Sequence, residues 1–240
     1  MSIDPSLVAH LPLFAGLDTT ACETILRDAH SLHVVKGKPV FEQGAEVHAF
    51  FLLLHGHIRA AKMTPAGEQV IVRYVSSGEI FGVAQAIGLT HYPATATTVE
   101  DSVVLSWPVT AWARLTVQYP ALAANTLKTV GGRLQEAHSR VVEMSTEQVE
   151  QRIAHALLRL ADQSGRTSDH GIAIDFPLSR QDIAEMTGAT IFTVSRTLSN
   201  WEQRGLIDSS RQRIVLRQPQ TLRVLAETVP DENKRAAGKT

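Results

Sequence analysis

Arg196 has the most specific chemistry open to any side chain in this sequence. A guanidinium can donate two parallel hydrogen bonds to guanine O6 and N7 at the edge of a major groove. Arg196 stands in TIFTVSRTLSNWE, residues 190–202, where Val194, Leu198 and Trp201 recur three to four residues apart. That spacing gives a helix one apolar face. Thr190, Thr193, Ser195, Arg196 and Ser199 fall off that face. Short hydroxyls near a helix start suit phosphates or a base edge. Phe192 offers a base no hydrogen bond but can lie on a thymine methyl. Arg180, at the start of the preceding segment, completes the helical part of the candidate DNA-binding set.

These side chains need elements to aim them. Residues 179–204 read as two short helices with a tight joint. Ser179 can cap the first, and Asp182 sits where the reciprocal capping contact forms. Ile183, Ala184 and Met186 give the first helix its inner face, and Gly188 falls in the turn. A second helix starts near Thr190 and would enter a major groove N-terminus first. Residues 205–217 then predict a wing. Gly205 ends the helix, Leu206 and Ile207 begin a strand, Asp208–Arg211 turn, and Ile214 to Leu216 return. Arg211 and Arg213, at or beside the tip, are placed to meet sugar-phosphate backbone. Periodicity alone fits equally well a helical hairpin in an enzyme or packing domain, with Arg196 merely solvated. The wing favours the DNA reading.

Composition bounds the rest. Of 240 residues, 44% are hydrophobic and 20% charged, as in soluble globular chains. Residues 1–146 carry 10 Lys+Arg against 12 Asp+Glu, and residues 147–240 carry 13 against 12. DNA contact must therefore come from local arrangement rather than a global field. No apolar run approaches a membrane span. The start, MSIDPSLVAHLPLF, lacks a basic segment followed by an apolar stretch, so no signal peptide is expected. The single Cys22 excludes an intrachain disulfide and fits a reducing, cytoplasmic setting. No nucleophile–base pair, phosphate loop or zinc spacing supports an enzyme.

Upstream, residues 1–35 read as helical, with Asp18 capping a helix through Ile25 and Leu26. Residues 33–107 are strand-rich. Apolar stretches alternate with glycines 37, 44, 56, 67, 78 and 82, the pattern of a small antiparallel roll. A short helix spans 109–117, and Pro120 suits the first turn of the next. Ala123, Leu127, Val130, Leu134, Ala137, Val141 and Met144 then alternate in steps of four and three. That heptad predicts a helix lying along a partner, with packing on its own domain as the competing reading. Residues 147–163 form another helix, 165–171 a loop, 172–176 a strand, and Pro219 to Val229 a last helix. The polar end, 230–240, lacks periodicity and is expected to be disordered. The fold class is α+β: a sensor domain over 1–119, a dimerisation helix over 120–146, a winged helix-turn-helix domain over 147–229, and the tail.

SRQDIAEMTG, a short joint, TVSRTLSNWE and then GLI together resemble the winged helix-turn-helix of the CRP/FNR family of bacterial transcription regulators. The resemblance spans nearly the whole chain. It implies an N-terminal antiparallel β-roll of the cyclic-nucleotide-binding kind. It also implies a homodimer joined along the 120–146 helix, double-stranded DNA with a two-fold operator, and RNA polymerase as a further partner. FNR-like members carry Glu where this chain has Phe192, so its DNA site should depart from theirs.

The effector is tested against the family residue by residue. Cyclic-AMP-binding members use a Gly-Glu, a later Glu and an Arg-Ser pair. Gly78-Glu79 is present, but Ala84 or Gln85 stands at the later carboxylate and Pro93-Ala94 at the Arg-Ser pair. A buried phosphate would lack its charge partner, so cyclic AMP in the usual way is not expected. One cysteine cannot hold an iron–sulfur cluster. The haem ligands of the carbon-monoxide sensor are missing near Gly82 and Ala84. Members that respond to 2-oxoglutarate use arginines in the roll, and Arg59 and Arg73 match them only in kind. TVSRTLSNWE and the His91–Pro93 segment are most similar to the nitric-oxide-responsive (NnrR/DNR-like) denitrification regulators, often haem dependent. Haem b is therefore the candidate cofactor, with His10 and His91 as candidate ligands. A cofactor-free regulator, and an interaction protein that has lost DNA binding, remain the alternatives.

Overall fold

The computed structural model describes residues 3–210 and 212–228. The chain divides into two compact units, with the boundary between Val142 and Glu143.

The first unit opens with 3₁₀ turns at Pro5–Leu7 and Pro12–Phe14, then α1 (Thr19–Leu26). Asp18 caps α1, its Oδ1 accepting from the Ala21 N–H at 2.7 Å. The helical stretch expected over 1–35 stops there. His30–Val34 is already a strand, β1, because it pairs along its whole length with β8 (Ser102–Pro108). Between them lie β2 (Pro39–Phe41), β3 (Ala49–His55), β4 (Ile58–Met63), β5 (Gln69–Val75), β6 (Ile80–Phe81) and β7 (Thr95–Thr98). They form two four-stranded antiparallel sheets, ordered β1-β8-β3-β6 and β2-β7-β4-β5.

β3 is apolar on both faces because it has a core on each side. Phe51 and Leu53 join Val47, Ile58, Phe81, Tyr92 and Val104 in the roll's interior. Phe50 and Leu52 point the other way, against Phe14, Ile25, Leu105, Trp107, Leu115 and Leu122. Phe50 stacks on Trp107 at 5.4 Å, and the indole N–H of Trp107 donates to the Ile25 carbonyl at 2.8 Å. The interior is filled by rings: Phe41 lies 3.9 Å from Tyr92 and 5.5 Å from Phe51, centroid to centroid. Gly82 permits this closure, since a Cβ there would stand 2.7 Å from the Phe51 ring. After Pro108 come α2 (Val109–Gln118) and α3 (Pro120–Thr146), the latter with the bounds its heptad predicts.

The second unit contains α4 (Val149–Ser164), β9 (Gly165–Ser168), β10 (Gly171–Ile174), α5 (Arg180–Thr187), α6 (Ile191–Gln203), β11 (Ile207–Ser210), β12 (Arg213–Leu216) and α7 (Pro219–Glu227). Its four strands order as β11-β12-β10-β9. Two expectations are corrected. The loop over 165–171 is half strand, Gly165–Ser168 pairing with Gly171–Ile174. All four β9 residues are exposed, so no apolar alternation marks the strand. The wing turn also does not span Asp208–Arg211. Asp208, Ser209 and Ser210 pair with Val215, Ile214 and Arg213, so all three belong to the strand and the reversal follows them. Gln212 takes the left-handed conformation this requires, φ 62°. Arg211 and the tail 230–240 lie outside the described residues.

Candidate nucleic-acid interface

α5 begins in a completed capping box. The Ser179 hydroxyl accepts from the Asp182 N–H at 3.1 Å, and Asp182 accepts from the Ser179 N–H at 2.8 Å. Two of the helix's otherwise unpaired donors are thereby satisfied. Gly188 ends α5 at φ +63°, and the chain turns directly into α6. Thr190 caps α6: its Oγ1 accepts from the Thr193 N–H at 3.2 Å and lies 3.0 Å from the Thr193 hydroxyl. The sequence offered both hydroxyls to DNA; here they also shape the helix start.

α6 is fixed from behind. Val194, Leu198 and Trp201 are fully buried. The Trp201 indole N–H donates to Glu150 Oε1 on α4 at 2.8 Å. Arg152, also on α4, donates to the Thr187 carbonyl at 3.1 Å and so holds the joint. Glu202 accepts from both the Ser209 N–H (2.9 Å) and its hydroxyl (2.6 Å), tying α6 to the wing.

The opposite face is free of packing. Phe192 is 83% exposed, and Arg196 projects into solvent four residues later. Thr193, Ser195 and Ser199 flank them, half-buried, while Arg180 and Arg213 are exposed beside α6 and on the wing. An open groove of about 420 Å³ runs between the start of α5 and the wing, lined by Ser179, Arg180, Ser209, Ser210 and Gln212. Three other arginines of this unit are paired: Arg166 with Asp175, Arg217 with Asp208 and Arg223 with Asp162. The unit thus presents a stiff helix with a planar bidentate donor and an aromatic ring outward. It suits base-edge contact by α6 and phosphate contact by Arg180 and the wing.

The heptad on α3 is divided. Leu127 (72% exposed), Leu134 (54%) and Val141 (64%) form a stripe one heptad apart, with Ala137 exposed among them. A Cβ on Gly131 or Gly132 would meet nothing within 4 Å. Val130, by contrast, packs against its own domain's helical core, and Ala123 is half-buried. Met144 lies beside Gly188, its Cε 2.7 Å from where a Cβ would stand.

In the sensor unit, His10 and His91 are both on the surface, and His91 Nδ1 lies 2.9 Å from the Thr90 hydroxyl. The buried histidine is His57, bonded to Glu100 at 2.6 Å. Cys22 is fully buried, and burial, with Asp18 beside it, raises its thiol pKa. A raised pKa keeps the thiol protonated and unreactive, which opposes a redox switch there. Glu79 does more than serve a turn. It binds Arg73 of β5 and lies 3.7 Å from Arg133 of α3. Nothing in the local sequence marks Arg133, which lies among the apolar heptad positions of α3.

Two family models match the chain: a cyclic nucleotide-binding domain over residues 31–119 and a Crp-like helix-turn-helix domain over residues 151–225. The chain is 28% identical over 196 residues to the cyclic AMP receptor protein of Thermus thermophilus, covering 82% of this chain and 88% of that protein. It is 26% identical over 208 residues to the transcriptional activator protein FnrA of Stutzerimonas stutzeri, covering 85% and 83%. The structure of FixK2 from Bradyrhizobium japonicum matches with a TM-score of 0.74 at 21% identity, over 84% of this chain and 98% of that one, a likeness of fold. The fold and the exposed α6 face define a DNA-binding regulator with an effector-binding β-domain. The chain belongs to the CRP/FNR family of transcription regulators.

Proposed function

We infer that the protein acts as a homodimer that reads a two-fold DNA operator under the control of an effector bound by its first unit. The observation that carries this is α6, locked from behind by Trp201 and Glu150 while Phe192 and Arg196 stand outward. The exposed stripe Leu127, Leu134 and Val141 supports a parallel α3 pair. Two chains so joined would present recognition helices to half-sites about 34 Å apart, one DNA turn. Cytoplasmic location follows from that role, as does contact with RNA polymerase. Among the described residues no helix is long and apolar enough to cross a membrane.

The residues do not fit the two effectors most readily suggested. Cyclic AMP, named for the Thermus relative, would meet Pro93 and Ala94 where an arginine should balance its phosphate, and a ring-filled interior. A haem would need an imidazole at an apolar pocket, whereas His10 and His91 are on the surface. The nitric-oxide reading then lacks a buried ligand at either candidate histidine, and the NnrR/DNR-like likeness rests on TVSRTLSNWE and the His91–Pro93 segment alone.

Selection of randomised duplexes by the full chain, followed by sequencing, tests the regulator reading. An inverted repeat should emerge, with binding that weakens steeply as salt rises. Equal retention of all sequences would leave an interaction protein that keeps the fold alone.

A further inference from the structure

α6 carries an apolar pair at its leading end that its own packing does not use. Val194, Leu198 and Trp201 complete the buried face of the helix. Ile191 stands three residues before Val194 on that line, yet it is 41% exposed, and Phe192 beside it is 83% exposed. Among the described residues of the second unit, no other two exposed large apolar side chains are adjacent. Neither residue serves the helix start. That task falls to Thr190, whose Oγ1 accepts from the Thr193 N–H at 3.2 Å. A first helical turn is better served by polar or acidic residues than by Ile or Phe. The same unit exposes Arg196 one turn on along α6, Arg180 at the first position of α5 and Arg213 on the wing. A small apolar pair joined to exposed arginines complements a polyanion that itself displays small apolar groups.

Duplex DNA is such a polyanion. Of the groups its standard bases show in the major groove, one is apolar, the C5-methyl of thymine; the rest are donors and acceptors. We propose that Ile191 and Phe192 are specificity-determining residues that read the C5-methyl groups of two pyrimidines on neighbouring base pairs in each half-site. This assignment rests on the regulator function inferred above and names the chemistry of its operator. Each methyl covered removes apolar surface from water on both partners. An unmethylated cytosine at the same place would bring its N4 amino group against a side chain with no acceptor, and the desolvated donor would go unpaired. Cytosine methylated at C5 presents the same apolar group to the major groove as thymine does. Binding is therefore sensitive to cytosine methylation at these two positions, in the direction of tighter binding. Ile191 and Phe192 stand at the helix end that enters the groove first, where side chains reach base edges rather than sugar and phosphate.

The test uses the full chain and the inverted-repeat duplex that selection yields, with binding followed by fluorescence anisotropy. Thymines of each half-site are replaced one at a time by deoxyuridine, which keeps the pairing and removes only the methyl. Two neighbouring positions per half-site should each lose about fourfold in affinity, the worth of one buried methyl. A C·G pair placed at such a position should bind worse than the uracil pair, and 5-methylcytosine there should recover about fourfold. Ile191→Ala should erase the methyl effect at one position and Phe192→Ala at the other. Both side chains are exposed, so neither change disturbs the core, and the uracil series needs no variant of the protein. Sequence-specific binding with no loss at any uracil overturns the proposal and leaves the regulator standing. So does a methyl effect that survives both alanine variants, or a selected half-site that contains no thymine. Absence of any sequence-specific binding removes the regulator, and this assignment with it.

Discussion

Phe192 and Arg196 lie one turn apart on α6, and in the proposed function they divide the labour of reading. Arg196 can discriminate through two hydrogen bonds, Phe192 through apolar contact with a thymine methyl. Arg196→Ala should therefore cost about 1–3 kcal/mol against the preferred site and relax discrimination at one base pair per half-site. Competition titrations with single-base operator variants measure this; unchanged discrimination would remove Arg196 from the base edge. Arg213→Ala should act differently. It should weaken all sequences alike and reduce the slope of log affinity against log salt by about 1. A sequence-selective effect would mean that the wing reads bases. The exposed placement of these residues was legible in the sequence because it depends on neighbours within one helix or hairpin. The Arg73–Glu79–Arg133 cluster was not, since its members meet only after the roll closes and α3 docks on it.

At the scale of elements, α6 works only if it is rigid. Trp201 supplies both burial and a hydrogen bond to Glu150. Trp201→Phe keeps most of the ring contact but loses the hydrogen bond to the exposed Glu150 carboxylate, and should lower stability by about 1 kcal/mol. Chemical denaturation followed by circular dichroism would show it, and an unchanged midpoint would demote the bond. The helix-turn-helix was readable because capping residues, a turn glycine and the apolar period agree with one another. β9 and the first half of the wing carry no such local signal. Their residues are polar and largely exposed, and long-range pairing rather than local pattern makes them strands. On α3 the heptad gave the helix but not its division: Val130 serves its own domain while Leu127, Leu134 and Val141 do not.

At the scale of the molecule, the proposed two-fold pair of chains on two-fold DNA would account for both the exposed α3 stripe and the outward α6 face. Leu134→Asp places a charge in the middle of that stripe. It should lower the dimer content in sedimentation while each unit stays folded; an unaffected dimer would put the interface elsewhere. The most direct test is sedimentation of the full chain with a duplex bearing the selected inverted repeat, and with one in which a single half-site is scrambled. The account predicts two chains per intact duplex, bound together, and a large loss of affinity when either half-site is destroyed. One chain per duplex, indifferent to the second half-site, would contradict it.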